Sequence, residues 1–293
     1  MAIIDIRHVT KDYGQNRGVF DLDFQMNKGE IMGVLGPNGA GKTTLIRQLM
    51  GFIKPDQGEV AILDMDCFEK APQVQEKVGY LPGEIAFMED MTGIEFIHFI
   101  ASLKGMKDFT RANELIQFLE LDPRGKIKRM SKGMKQKIGL VIAFMQDTPI
   151  LILDEPTSGL DPLMQLKFID LVKQAKKEGK TIFMSSHIFE EVENVCDRVV
   201  IIRQGKLVAI ENMEDLKNSR SKQYNIIFHD YKEANLFHQK HKESTLRDRQ
   251  VSLLVQGQAD QFIKELSQYT IDDLSIRAQS LEDIFLQYYG GDQ

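Results

Sequence analysis

The nine residues GPNGAGKTT, 36–44, follow directly on EIMGVL, 30–35, and this junction constrains the chain more than any other feature. An almost wholly apolar run of that length reads as a central strand covered on both faces, because a strand with one wet face would alternate. The residues after it satisfy G-x-x-x-x-G-K-[ST] through Gly36, Gly41, Lys42 and Thr43. Glycines let the backbone curl so that successive N–H groups point inward, and the helix that follows adds the positive end of its dipole. Phosphate oxygens fit such a turn. Lys42 is then placed to reach the β- and γ-phosphates of a nucleotide and the Thr43 hydroxyl to ligate Mg²⁺. Nucleotide-binding residues are accordingly expected along the loop: Gly36, Pro37, Asn38, Gly39, Ala40, Gly41, Lys42, Thr43 and Thr44.

A second apolar strand, ILILD at 150–154, ends on Asp154 with Glu155 next. A carboxylate at the carboxyl edge of a parallel strand sits where open α/β sheets bind ligands, so Asp154 is a candidate Mg²⁺ ligand and Glu155 can polarise an attacking water. Further strands are expected at 181–186 (TIFMSS) and 198–204 (RVVIIRQ), with helices over 162–177 and 188–196, the alternation of a mostly parallel sheet. Upstream, IIDIRHV and VFDLDFQM alternate, and Phe20, Leu22, Phe24 and Met26 are expected on one buried side. From about 88 to 147 the periodicity turns helical, with Thr92, Thr110 and Ser131 as candidate N-caps.

Past about residue 219 the character shifts. Strands near 223–228, 243–248, 250–256 and 273–278, helices at 231–240 and 259–267, and a closing helix SLEDIFLQYY suit a small α+β domain of ferredoxin-like order over 220–293. His238 and His241, three apart on a helix with no further ligand nearby, read as surface residues rather than a metal site.

The charge balance narrows the partners. A net charge of -6 provides no broad attraction to nucleic acid or anionic lipid, so no nucleic-acid partner is expected. Cys67 and Cys196 are far apart and without metal-ligand spacing. The opening MAIIDIRHVT lacks the features of a secretory leader, and the cytosol is the expected compartment. Apolar runs such as IGLVIAFM, 138–145, fall short of the roughly 18 residues needed to cross a bilayer, so action at a membrane requires a separate chain.

LILDEPTSGLD (151–161), with GPNGAGKTT upstream and SSH (185–187) downstream, closely resembles the nucleotide-binding subunit of ABC transporters over about residues 1–219. The resemblance implies a P-loop NTPase of ABC ATPase fold: an α/β core with an N-terminal antiparallel β region and a helical insertion, here followed by the small C-terminal domain. It implies ATP and Mg²⁺ as ligands and ATP hydrolysis as the activity, with Lys42, Glu155 and His187 catalytic. By similarity Tyr13 stacks on adenine and His187, alone of the six histidines in having a motif around it, contacts the γ-phosphate and attacking water. Ser158, Gly159 and Asp161 fall at the D-loop, which in the family crosses between two subunits.

Two departures from the family pattern stand out. KRMSKGMKQK, 128–137, occupies the place of the LSGGQ signature; Ser131, Gly133 and Gln136 match, whereas Lys132 and Met134 differ. In the family the signature grips the γ-phosphate of ATP bound to the opposite subunit. Between Asp122 and Lys137 lie seven basic residues and one acidic one, a field that attracts polyphosphate. Lys132 therefore either helps hold ATP across a dimer, with Ser131, Gly133 and Met134, or lies on a solvent-facing helix edge. The second departure is in VGYLPGEIAF, 78–87, where relatives have glutamine or glutamate and this chain has Gly83, then Glu84. Either Glu84 substitutes or the coupling uses other groups.

The resemblance further implies a homodimer or heterodimer of nucleotide-binding subunits that closes on ATP, and a separate transmembrane permease. The expected location is the cytoplasmic face of the cell membrane. Exposed apolar residues around Ile85, Phe87 and Met88 either meet that permease or pack within the insertion. The tail SIRAQSLEDIFLQYYG resembles the extension of ABC-2-type exporter ATPases, which move drugs, antimicrobial peptides, polysaccharides or lipids. The alternatives are a soluble ABC ATPase of translation or DNA repair and an ATP-sensing regulator without transport.

Overall fold

The computed structural model describes residues 2–218, 221–255 and 259–278, and the chain divides into two compact units, Met1–Met213 and Glu214–Gln293. In chain order the first unit contains β1 (Ala2–Asp12), β2 (Gly18–Asn27), β3 (Ile31–Leu35), α1 (Lys42–Leu49), β4 (Gln57–Ile62), β5 (Met65–Asp66), α2 (Ala71–Glu76) and β6 (Val78–Leu81). There follow α3 (Gly93–Leu103), α4 (Thr110–Phe118), α5 (Lys132–Met145), β7 (Ile150–Asp154), α6 (Pro162–Lys177), β8 (Thr181–Ser186), α7 (Phe189–Val195), β9 (Arg198–Arg203) and β10 (Lys206–Asn212). After α8 (Met213–Asn218) come β11 (Lys222–Phe228), α9 (Tyr231–Lys240), β12 (Thr245–Arg247), β13 (Gln250–Val255), α10 (Ala259–Leu266) and β14 (Ile271–Ala278).

Two sheets build the first unit. One, in the order β2-β1-β4-β5, is antiparallel. The other runs β10-β9-β3-β8-β7-β6, parallel from β9 to β6 with β10 antiparallel on its edge. Every residue of β3, β7 and β8 is buried, as continuous apolar strands between helical layers must be. One side of β2 alternates as expected, with Leu22, Phe24 and Met26 buried, but Phe20 is only half-buried and Val19 takes the inward place. The pairing of β1 with β2 slips between Val9 and Lys11, and Asp21 adopts φ 53. An extra residue at such a bulge resets the alternation, which corrects the placement of Phe20.

Helix starts follow local chemistry. Thr92 caps α3 in a reciprocal box with Glu95, and Ser131 caps α5 by accepting from the Met134 N–H. Thr110 is not a cap. It is the first residue of α4, and its N–H and hydroxyl both donate to Asp108, whose longer reach makes it the better acceptor for that turn. Among the described residues, no helix is long and apolar enough to cross a membrane.

The second unit has its own core. Its strands form an antiparallel sheet in the order β12-β13-β11-β14, and alternate residues of β11, Tyr224, Ile226 and Phe228, are buried. Phe237 and Phe262 pack on them, with centroid separations of 5.2 Å for Phe228–Phe237 and 4.6 Å for Tyr224–Phe262. His238 and His241 are half-buried rather than free at the surface. His238 Nδ1 lies 2.8 Å from Ser244 Oγ, and His241 Nε2 lies 3.1 Å from Glu265 while its ring packs 4.5 Å from Phe237. An imidazole has an apolar body and polar tips, so a helix face opposite aromatic residues draws it in. The expected closing helix, 280–289, lies outside the described residues.

Candidate functional site

Three adjacent parallel strands deliver the chemistry to one edge. β3, β8 and β7 lie in that order, with Leu35 beside Ser186 and Asp154 beside Ser185, so their carboxyl ends open together. This is the edge at which open α/β sheets take ligands. β3 leads into the loop 36–44, β7 ends at Asp154, and β8 ends just before His187.

The loop depends on glycine for two separate reasons. Gly41 holds φ 107, a left-handed conformation costly for any other residue, and as the N-cap of α1 it leaves the first-turn N–H groups without a side-chain acceptor. Gly36 is a matter of space, since a Cβ there would lie 2.4 Å from the Ile202 carbonyl oxygen. Lys42 is buried. Its Nζ donates to the carbonyls of Gly36 at 2.7 Å and Pro37 at 3.2 Å, and lies 3.5 Å from Glu155 Oε1. Thus Gly36 and Pro37 steady the lysine, whereas Asn38, Gly39, Ala40, Gly41, Lys42, Thr43 and Thr44 line a cleft of ≈ 520 Å³ with Tyr13, Arg17 and Glu155. The Tyr13 ring is half-exposed at this cleft, with Lys11 Nζ 6.0 Å from its centroid.

Asp154 is fully buried. Its Oδ1 accepts from the Ser185 hydroxyl at 2.5 Å, while Oδ2 has no protein partner. A buried carboxylate oxygen without a donor is costly, and a cation is the natural compensation. Glu155 sits at φ 47, an uncommon conformation for a residue with a Cβ. It is held there from both sides: its N–H donates to Ser185 Oγ at 3.0 Å and its carbonyl accepts from Gln136 Nε2 at 3.2 Å. Glu155 Oε1 also lies 3.5 Å from His187 Nδ1, the same distance as from Lys42 Nζ. Burial, reinforced by the negative Asp154, pushes the nearby Tyr80 hydroxyl up to about 12.

The signature residues occupy a different place. Lys132 lines a smaller cleft of ≈ 260 Å³ with Gly83, Glu84, Phe87, Lys135 and Gln136. Its Nζ donates to Ser158 Oγ at 2.8 Å, and a Cβ on Gly133 would meet the Gly159 carbonyl oxygen at 2.7 Å. Within one chain, therefore, Lys132 is bonded to the 158–161 loop. Asp161 caps α6 by accepting from the Met164 N–H. A Cβ on Gly83 would stand 3.1 Å from Asp154 Oδ2, while Glu84 is exposed. Phe87 packs 5.2 Å from Phe96 and Ile85 is half-buried, leaving Met88 exposed.

Sequence reasoning missed Ser185, the hydroxyl shared by Asp154 and Glu155. Its signal was the doubled serine before His187. Arg17 at the cleft carried no motif. Glu191, buried on α7, has its carboxyl pushed up to about 7 by that burial, against the pull of the Ser186 hydroxyl.

A family model described as ABC transporter matches residues 19–158. The linearmycin resistance ATP-binding protein of Bacillus subtilis is 35% identical over 219 residues, 73% of this chain and 70% of its own length. The bacitracin transport ATP-binding protein of Bacillus licheniformis is 33% identical over 302 residues, covering 99% of this chain and 98% of its own. The Nod factor export ATP-binding protein of Cupriavidus pinatubonensis is 34% identical over 224 residues, 75% and 69% of the two chains. Among solved structures, an ATP-binding subunit of an ABC transporter superposes with a TM-score of 0.68 at 28% identity, covering 73% of this chain and 92% of that one.

Proposed function

This chain belongs to the ABC transporter family, as an ATP-binding subunit with ATPase activity, and from that premise we propose that it powers an exporter by closing in pairs around ATP. The observation that carries this reading is the position of Glu155 Oε1, 3.5 Å from both Lys42 Nζ and His187 Nδ1 at the mouth of the phosphate cleft. Lys42 and the N–H groups at the start of α1 meet the phosphates. Glu155 orients the attacking water and accepts its proton, and His187 holds the γ-phosphate side of that water.

Thr43 and Asp154 would hold Mg²⁺. The unpartnered Asp154 Oδ2 suits a cation. When bound, the ion neutralises charge developing on the phosphoryl oxygens.

Lys132 lines a cleft separate from that of the P-loop, and Ser131, Gly133 and Met134 flank it in the chain. Their proposed role is toward ATP on a second subunit, with Ser158, Gly159 and Asp161 at the seam. Tyr13 supplies a face for the base. Relatives named for bacitracin transport, linearmycin resistance and Nod factor export favour export through a separate permease, with this subunit peripheral on the cytoplasmic face. The Gly83–Glu84 segment and Met88 are the proposed side toward that permease. The βαββαβ order of the second unit supports reading it as a ferredoxin-like accessory domain.

The test is dilution. The ATP turnover rate per molecule should fall as the full chain is diluted, in step with loss of an ATP-dependent dimer seen by light scattering. A rate that stays flat in a strictly monomeric sample overturns the shared-site reading.

A further inference from the structure

The turn that carries His187 is fastened by a device that none of the family motifs describes. Ile188 is the N-cap of α7, and an isoleucine side chain cannot accept a hydrogen bond. At α3 the cap residue's own N–H is held directly, because Glu95, three residues after the cap, accepts the Thr92 N–H at 2.8 Å. At α7 the residue in that same place is Glu191, and the contact is relayed. The Ile188 N–H donates to Ser186 Oγ at 2.9 Å, and the Ser186 hydroxyl donates to Glu191 Oε2 at 2.5 Å. A hydroxyl has one proton and two lone pairs; Glu191 Oε2 at 2.5 Å takes the proton ahead of the Ile188 carbonyl oxygen at 3.4 Å, and a lone pair accepts the Ile188 N–H. Ser186 and Glu191 are 2% and 6% exposed, which removes water as a competitor for either bond.

His187 lies between the two residues tied by this relay. Its own side chain is 47% exposed, and its polar neighbour in the site is Glu155 at 3.5 Å. An imidazole that open is not confined by packing around its ring; its direction is set by the backbone on either side. We propose that the Glu191–Ser186–Ile188 relay is what aims His187 at Glu155, making Ser186 and Glu191 positioning residues for ATP hydrolysis. The inference rests on the proposed role of His187.

A purely structural tie would change melting temperature and leave the chemical step alone, so the experiment reads kcat and KM separately. Turnover of the full chain with Mg²⁺-ATP is measured for Ser186→Ala, Glu191→Leu, the double variant, Glu191→Gln and His187→Ala. Misdirecting a reacting group by about an ångström costs up to about 100-fold, and each of the first two variants is expected to lower kcat about 10- to 100-fold with KM for ATP within about twofold. Because the two residues act through one relay, the double variant should lose no more than the worse single one. Glu191→Gln keeps an oxygen for the Ser186 hydroxyl and should recover most of the loss; it also serves if Glu191→Leu does not fold. Unchanged kcat in folded Ser186→Ala, additive losses, or a Glu191→Gln as slow as Ser186→Ala each overturn the proposal. If instead His187→Ala turns over at the unaltered rate, the role of His187 itself is wrong and the inference falls with it.

Discussion

Gln136 Nε2 bridges the carbonyl oxygens of Glu155, at 3.2 Å, and Pro156, at 2.8 Å, tying α5 to the strained residue that ends the β7 run. One amide thus links the two clefts. Replacing Gln136 with Leu leaves the buried Pro156 carbonyl without a donor, at a cost of about 1–3 kcal/mol, while the Glu155 carbonyl keeps only the Ser158 N–H at 3.1 Å. We expect denaturant unfolding to show a loss in that range and ATP turnover to fall as Glu155 relaxes; unchanged values in both measurements would argue that the tie is incidental.

Glu155→Gln keeps the size of the side chain and removes its capacity to take a proton. General-base removal typically costs about 100- to 10,000-fold, so hydrolysis should become very slow while ATP still binds. The variant is expected to accumulate as an ATP-bound dimer in size-exclusion chromatography. Wild-type turnover would falsify the assignment of Glu155.

Gly36→Ala places a methyl group 2.4 Å from the Ile202 carbonyl oxygen and 2.9 Å from Ala40 Cβ, both parts of the framework of the loop. Overpacking of this kind costs about 1–3 kcal/mol. A lower melting temperature together with weakened ATP binding is expected from calorimetry, and normal affinity in a stable variant would contradict the close-packed loop.

Lys132→Glu removes the bond to Ser158 and reverses a charge in a basic stretch. If Lys132 works toward ATP on a second subunit, turnover should drop about tenfold while ATP affinity of the isolated subunit changes little. Equal turnover would assign the lysine to its own 158–161 loop alone.

Glu191 gives a pH dependence with a defined sign. Burial pushes its carboxyl up to about 7 from an ordinary 4.5, so between those values the folded chain keeps a proton that the unfolded chain releases. Unfolding free energy therefore falls as pH rises through this window, by on the order of 3 kcal/mol. Glu191→Gln, which has no proton to lose, should be flatter than the unaltered chain from pH 4.5 to 7 in denaturant titrations. Parallel curves would mean that Glu191 is not protonated in the folded state.

Where chemistry is local, the sequence was legible. The loop 36–44, the carboxylates at 154 and 155 and the histidine at 187 each follow an apolar strand, and a buried strand announces itself by composition. Thr92 and Ser131 were legible as caps because capping is decided within a few residues. Phe20 was misplaced because a bulge is decided by the partner strand, and Thr110 because Asp108 accepts its N–H and hydroxyl, which makes it the first helical residue rather than the cap.

What the sequence by itself determined is the set of groups and the strands and helices that carry them, since period, turn residues and motif spacing are properties of short stretches of chain. Only the tertiary structure decided which of those groups meet. Asp154 and Ser185 are 31 positions apart, Lys42 and Glu155 more than a hundred, and both pairs meet because β3, β8 and β7 lie side by side with their ends aligned. Strand order and register come from burying several apolar faces at once, a global condition that no single segment encodes.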